Sequence, residues 1–232
     1  ATAELFIKLM VLAEKDGKKS IQDFLGAKSQ QDFKKERPSH LVLLAKNKIG
    51  LKNLYLLVSK SHIETFYREP KILKSDLLEM REGLLLGSAC QNSEFFEKIL
   101  QGSDFDQLCQ HAKFYDYLEV QPLDQYHKLI QSGMISSVEE LKSLIKMIVD
   151  IGERVNIPVV ATGDVHYLEP EDDIFRRILI AGTYTSKRPS QIPHESLHFR
   201  TTNEMLEDFS FLGEDLARKI VIENPQKIHE QI

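Results

Sequence analysis

Hydrophobic and polar positions alternate along this chain in two registers. Short apolar runs, His40–Ala45, Leu84–Ser88, Tyr117–Gln121 and Pro158–Thr162, predict strands. Between them the apolar spacing becomes helical. Leu51–Phe66 predicts a helix with Leu54, Leu57, Val58 and Ser61 inward. Shorter helices are expected near Asp76–Arg81, from a Ser93 cap to Leu100, over 104–113 and near 124–131. Ser137-Val138-Glu139-Glu140 is a capping-box pattern, and it predicts a long helix to Val155 with Leu141, Leu144, Ile145 and Ile148 inward. A helix over 171–181 follows the last strand.

The two ends differ from this middle. Residues 2–15 read as an amphipathic helix through Leu5, Leu9 and Leu12, with a short helix at Ser20–Leu25 behind it and a polar loop over 26–39. Beyond Thr183–Pro193, read as loop, Leu197–Arg200 is a short strand at most. Thr201–Glu204 caps a helix to Phe209, and Gly213 opens a last helix to about Asn224.

Strands alternating with helices predict an α/β domain of right-handed βαβ units around a parallel sheet, open or barrel-like. In such folds chemistry gathers at the C-terminal ends of the strands. Cys90 follows the second strand. Asp164 and His166 follow the fourth, after Gly163 breaks it, and two-residue spacing in an extended chain sends both side chains to one face. A carboxylate and an imidazole so placed suit a metal ion; the alternative is an aspartate that caps the next turn and a surface histidine.

Composition narrows the function classes. Net charge is −5, without the basic footprint of a self-sufficient nucleic-acid binder. The small basic clusters Lys34-Lys35, Arg176-Arg177 and Lys187-Arg188 read as solvated faces. Two cysteines, Cys90 and Cys109, make no disulfide framework and point to a reducing, cytoplasmic setting, with Cys109 expected in a helix core. No apolar run has the length of a membrane span, and no signal peptide opens the chain. A start at Ala1 without methionine suggests a piece of something longer.

Several blocks together resemble one family. His40-Leu41-Val42-Leu43-Leu44-Ala45-Lys46-Asn47 with Gly50-Leu51-Lys52-Asn53-Leu54, Gly87-Ser88-Ala89-Cys90 and Ala161–Tyr167 are similar to the PHP domain of bacterial replicative DNA polymerase III. Phe66–Pro70, Phe114–Pro122 and Phe199–Leu206 resemble the Gram-positive PolC type in particular. The resemblance implies part of a distorted (β/α) barrel of PHP type with a C-terminal helical lead-out. Its mouth would hold a divalent metal, zinc or manganese, on His40, Cys90, Asp164 and His166. Glu119 falls in a matching block without an assigned ligand role; a strand carboxylate bonded to its neighbours is the alternative. His62, His111, His127, His194, His198 and His229 read as surface or loop residues.

The family's opening His-x-His strand has no counterpart here, and Ser93 stands where relatives often have glycine. The chain therefore resembles the second PHP segment that follows an inserted exonuclease. On that reading 1–15 is the trailing exonuclease helix, 16–39 a linker, 40–196 the PHP part and 197–232 the lead-in to the polymerase core. Partners would be the first PHP segment, exonuclease and polymerase core, with DNA and the sliding clamp reached through the parent chain, and no membrane. The parent would use magnesium to synthesise DNA and would proofread it; no catalytic residue is expected in this piece. The alternatives are a metal-dependent phosphoesterase of the PHP class and a scaffold whose metal site stays empty. Missing strands would leave sheet edges uncovered, so the isolated piece is expected to be marginal unless another segment fills the gap.

Overall fold

The computed structural model describes residues 37–183 and 188–232. The helices expected at 2–15 and Ser20–Leu25, and most of the 26–39 loop, lie outside the described residues, as do Lys34, Lys35 and Lys187. The chain divides into two compact units, Ala1–Pro38 with Leu57–Leu77, and Ser39–Leu56 with Leu78–Ile232.

In the larger unit the order begins with β1 (Val42–Ala45) and the start of α1 (Lys48–Ile63). After α2 (Lys74–Glu79), whose last residues belong here, come β2 (Leu84–Gly87), α3 (Glu94–Leu100), α4 (Phe105–Ala112) and β3 (Leu118–Val120). A 3₁₀ turn over Leu123–Tyr126 leads into α5 (His127–Gln131), α6 (Val138–Val155), β4 (Val159–Ala161) and α7 (Asp173–Thr183). The tail comprises α8 (Thr202–Asp208), α9 (Glu214–Arg218), a π turn over Lys219–Glu223 and α10 (Asn224–His229).

The sheet corrects one expectation. β3 and β4 pair in parallel, Leu118 opposite Val159 and Val120 opposite Ala161. β1 and β2 pair antiparallel, with Val42 opposite Gly87 and Ala45 opposite Leu84. A single parallel bridge, Gly87 to Tyr117, joins the two ladders, and the sheets are small and unclosed. An all-parallel sheet is therefore not what forms. β1 is also only half-buried along its length, where a buried strand was expected; β2 is buried throughout.

Local chemistry explains the helices. Ser93 accepts the Phe96 amide and starts α3. Asp104 and Gln107 exchange capping bonds at α4, and Thr201 with Glu204 at α8. Ser137 caps α6, and Asn156, left-handed at φ 57°, ends it. At the tail, Pro225 removes a donor and crowds the carbonyl one turn before it, which accounts for the wide turn over Lys219–Glu223; the helix then continues beyond the expected Asn224 to His229, with the proline in its first turn.

The core forms where these helices meet one face of the sheet. Leu118, Val120 and Val159 pack with Leu108, Leu141, Ile145, Ile148, Phe209 and Ile220, and each such side chain contributes roughly 1.5–3 kcal/mol. Leu144 is only partly buried beside them. Cys109 is buried in α4, as expected of a core residue. Leu85, Tyr117, Val160 and Ile228 make a smaller cluster. Among the described residues no helix is long and apolar enough to cross a membrane.

In the smaller unit, Leu57, Ser61 and Leu77 are buried and Lys60 meets Asp76 at 2.6 Å. Val58 is exposed rather than inward, and Leu54, in the larger unit, is only half-buried.

Arg176 and Arg177 are paired rather than solvated. Arg177 Nε lies 2.7 Å from Asp173 Oδ2, His194 Nδ1 lies 2.8 Å from the same oxygen, and Arg176 meets Glu195 at 3.2 Å. Burial alone would raise the Asp173 carboxyl; His194 and Arg177 outweigh it and hold it below the ordinary aspartate value. A carboxyl depressed in the folded state gives stability that is full above its unfolded pKa and lost as pH falls through the folded one. The stability gap between the unaltered chain and Asp173→Asn should thus be larger near pH 6 than near pH 3, read by urea unfolding at both.

Candidate metal centre

Strand direction decides where the candidate donors stand. β2, β3 and β4 run the same way, so their exits share one edge: Ser88–Cys90, Gln121 and Thr162–His166. β1 runs against β2 with Val42 opposite Gly87, so the residues before β1 reach that same edge. His40 and Cys90 meet there, Nδ1 to Sγ at 3.4 Å. The turn that carries Cys90 closes with the Ser93 amide donating to Cys90 O at 2.9 Å, and the His40 amide donates to Asn92 O at 3.0 Å. His40 is thereby tied by backbone to the thiol's own turn.

Asp164 and His166 also meet, Oδ1 to Nε2 at 3.7 Å. They do so differently from the extended-chain expectation: Asp164 is left-handed at φ 43°, so a kink brings the two together. Ala89, one residue before Cys90, is left-handed at φ 60°. Non-glycine residues held this way cost on the order of 1 kcal/mol or more each, and they cluster where geometry serves function. The two pairs share an electrostatic neighbourhood. Burial pushes the Cys90 thiol up and the Asp164 carboxylate adds to it, against hydrogen bonds from Asn92.

Behind the donors lies a polar network that the sequence did not assign. Glu119 Oε2 accepts the Thr162 hydroxyl at 3.0 Å, and Oε1 accepts the Ala89 amide at 3.3 Å. The Glu119 amide donates to buried Ser88 Oγ at 2.8 Å. Gln121 Nε2 donates to Thr162 Oγ1 at 2.9 Å, and its Oε1 accepts the buried Tyr126 hydroxyl at 2.7 Å. Burial raises the Glu119 carboxyl; the bonds from Thr162 and Ala89 oppose this and the Asp164 charge adds to it. Gly87 is required beside it, since a Cβ there would lie 2.4 Å from the Tyr117 ring and 2.6 Å from Glu119 Oε1. The available signal was alternation on β3: Leu118 and Val120 go to the core, which leaves Glu119 on the other face.

The donor types suit zinc or manganese. The geometry does not close around an ion: among the described residues no three histidine, cysteine, aspartate or glutamate side chains gather closely enough to hold one. His40, Asp164 and His166 are exposed and Cys90 is half-buried, so the donors face outward as two pairs.

A family model for the PHP domain matches residues 5–135, which take in His40, Cys90 and Glu119. This chain belongs to the PHP domain family. As a PHP chain it is also similar to curated proteins named DNA polymerase III PolC-type. The one from Clostridium perfringens is 45% identical over 88% of this chain, and that from Pediococcus pentosaceus 48% over 86%. The one from Bacillus subtilis is 45% identical over 98% of the chain. The PHP chain spans only 14% to 16% of the length of these relatives.

Proposed function

We propose that the chain is a segment of a PolC-type replicative DNA polymerase, lying in the PHP region after the exonuclease insertion. Its role there is structural: it contributes His40, Cys90, Asp164 and His166 to a divalent-metal site, zinc or manganese, whose remaining ligands come from elsewhere in the parent polypeptide. The observation that carries this reading is that one sheet edge collects both donor pairs from separate stretches of sequence. Donors that meet as open pairs are what one share of a divided site would look like. Strands from the first PHP segment complete the distorted barrel on the same reading. The division stays at 1–15 for the exonuclease's trailing helix, 16–39 for the linker, 40–196 for the PHP part and 197–232 for the lead-in to the polymerase core. The whole polypeptide then synthesises DNA with magnesium, proofreads it, engages the sliding clamp and works in the cytoplasm.

The test uses the complete polypeptide carrying this segment, with Cys90→Ser and His166→Ala. Primer extension per folded molecule is expected to persist in both variants while the thermal midpoint drops. Loss of a measurable phosphoester hydrolysis in the variants, with the midpoint unchanged, would overturn the structural role in favour of a phosphoesterase.

A further inference from the structure

Glu119 stands between the two turns that carry the donors, and its hydrogen bonds reach both. One oxygen takes the Ala89 amide, at the left-handed residue preceding Cys90. The other takes the Thr162 hydroxyl, two residues before Asp164. Thr162 Oγ1 also accepts from Gln121 Nε2 at 2.9 Å, so the hydroxyl accepts on one side and donates to the carboxylate on the other. Ser88, 1% exposed, anchors the Glu119 backbone from the Cys90 side, and Gly87 leaves the space that lets the carboxylate reach over β2. β2 is joined to the start of β3 by one bridge: the Asp116 and Tyr117 amides donate to Leu86 O at 2.8 and 3.3 Å, and the Ser88 amide donates to Tyr117 O at 3.2 Å.

We propose that Glu119 is a positioning residue, whose carboxylate straps the Cys90 turn to the Asp164 turn and so sets where the two donor pairs stand relative to each other. The inference concerns the same edge as the proposed metal site but is independent of it in test. Probing the thiol after metal is removed leaves either idea standing if the other fails.

The experiment measures alkylation of Cys90 by iodoacetamide in the chelator-treated complete polypeptide, followed by peptide mass spectrometry, with buried Cys109 as internal control. Glu119→Ala frees the Ala89 turn, and the Cys90 rate should rise about tenfold while Cys109 stays as it was. Glu119→Gln keeps an oxygen for the Ala89 amide, but its NH2 can bond Thr162 Oγ1 only if that hydroxyl turns its proton away, so its rate should fall between the unaltered chain and Glu119→Ala. Thr162→Val alone should raise the rate partway, and added to Glu119→Ala it should change nothing further, since the strap is already cut. An unchanged Cys90 rate in Glu119→Ala overturns the proposal. So does a joint rise of Cys90 and Cys109, which reports general unfolding, or a Glu119→Gln chain that behaves like Glu119→Ala.

Discussion

Gly50→Ala should destabilise the chain by at least about 3 kcal/mol, beyond the usual cost of an overpacked methyl. A Cβ at Gly50 would lie 1.8 Å from Gly83 O and 2.5 Å from Gly83 C, and these are backbone atoms. Gly83 has little room to yield, since a Cβ built on it would itself lie 2.5 Å from Gly50 N and 2.8 Å from Gly50 Cα. Three further bonds fasten this contact. Lys46 N–H donates to Gly83 O at 2.8 Å, Asn53 Nδ2 to Glu82 O at 2.9 Å, and the Gly50 amide to Asn47 Oδ1 at 3.0 Å. The start of α1 is thus seated on the turn that opens β2. Moving it would drag β2 against β1, the pairing that sets His40 beside Cys90. Urea unfolding reads the loss. Gly182→Ala is the matched control: its Cβ meets nothing within 4 Å inside α7, so it should be neutral or slightly stabilising.

Arg200→Ala should cost about 2–3 kcal/mol at neutral pH, just under the range for breaking a fully buried pair, because both carboxylate partners retain some water. The Arg200 side chain is 4% exposed and lies 2.6 Å from Asp124 and 2.7 Å from Asp208. It also donates to Ser196 O and Ser196 Oγ, both at 3.0 Å. The stretch before α8, the 3₁₀ turn after β3 and α8 itself are held by this one guanidinium. Burial already raises the Asp208 carboxyl; Arg200 opposes that rise and Asp124 adds to it. Without Arg200 the main opposition to the rise is gone and only the His198 charge remains against it, so the folded variant takes up protons more readily than its unfolded chain. Its stability then falls as pH climbs from acid to neutral. The penalty relative to the unaltered chain should therefore shrink toward pH 4, as measured by urea unfolding across that range.

Much of the fold could be read from periodicity, because most helices carry their own start signals. Ser93, Ser137 and Thr201 cap where their side chains compete for the first free amides, and they do so whatever the tertiary setting. Strand direction could not be read this way. An apolar run such as Val42–Ala45 has no polarity in its pattern, and the α1 helix after it invited a parallel crossover. That expectation would have set His40 and Cys90 at opposite ends of their strands; the antiparallel pairing of Val42 with Gly87 brings them to one edge. The Asp164–His166 contact was anticipated for the wrong local reason, since two-residue spacing in an extended strand was replaced by a left-handed kink at Asp164. Glu119 could be read as a strand carboxylate bonded to neighbours, but not which ones, because such partners appear only after folding: Ala89 lies 30 residues upstream and Thr162 43 downstream. The pairing of Arg177 and His194 on Asp173 escaped for the same reason, as a basic doublet looks solvated until a buried acid is placed against it.

His40, Cys90, Asp164 and His166 are proposed to serve one divalent ion in the assembled PHP domain. This is tested most directly by metal analysis of the complete polypeptide after exhaustive dialysis, alongside this 232-residue chain and the variants Cys90→Ser and His166→Ala. The account predicts near-stoichiometric zinc or manganese in the complete polypeptide, little in the isolated chain, and loss of the ion in both variants. Metal retained undiminished by both variants would contradict it.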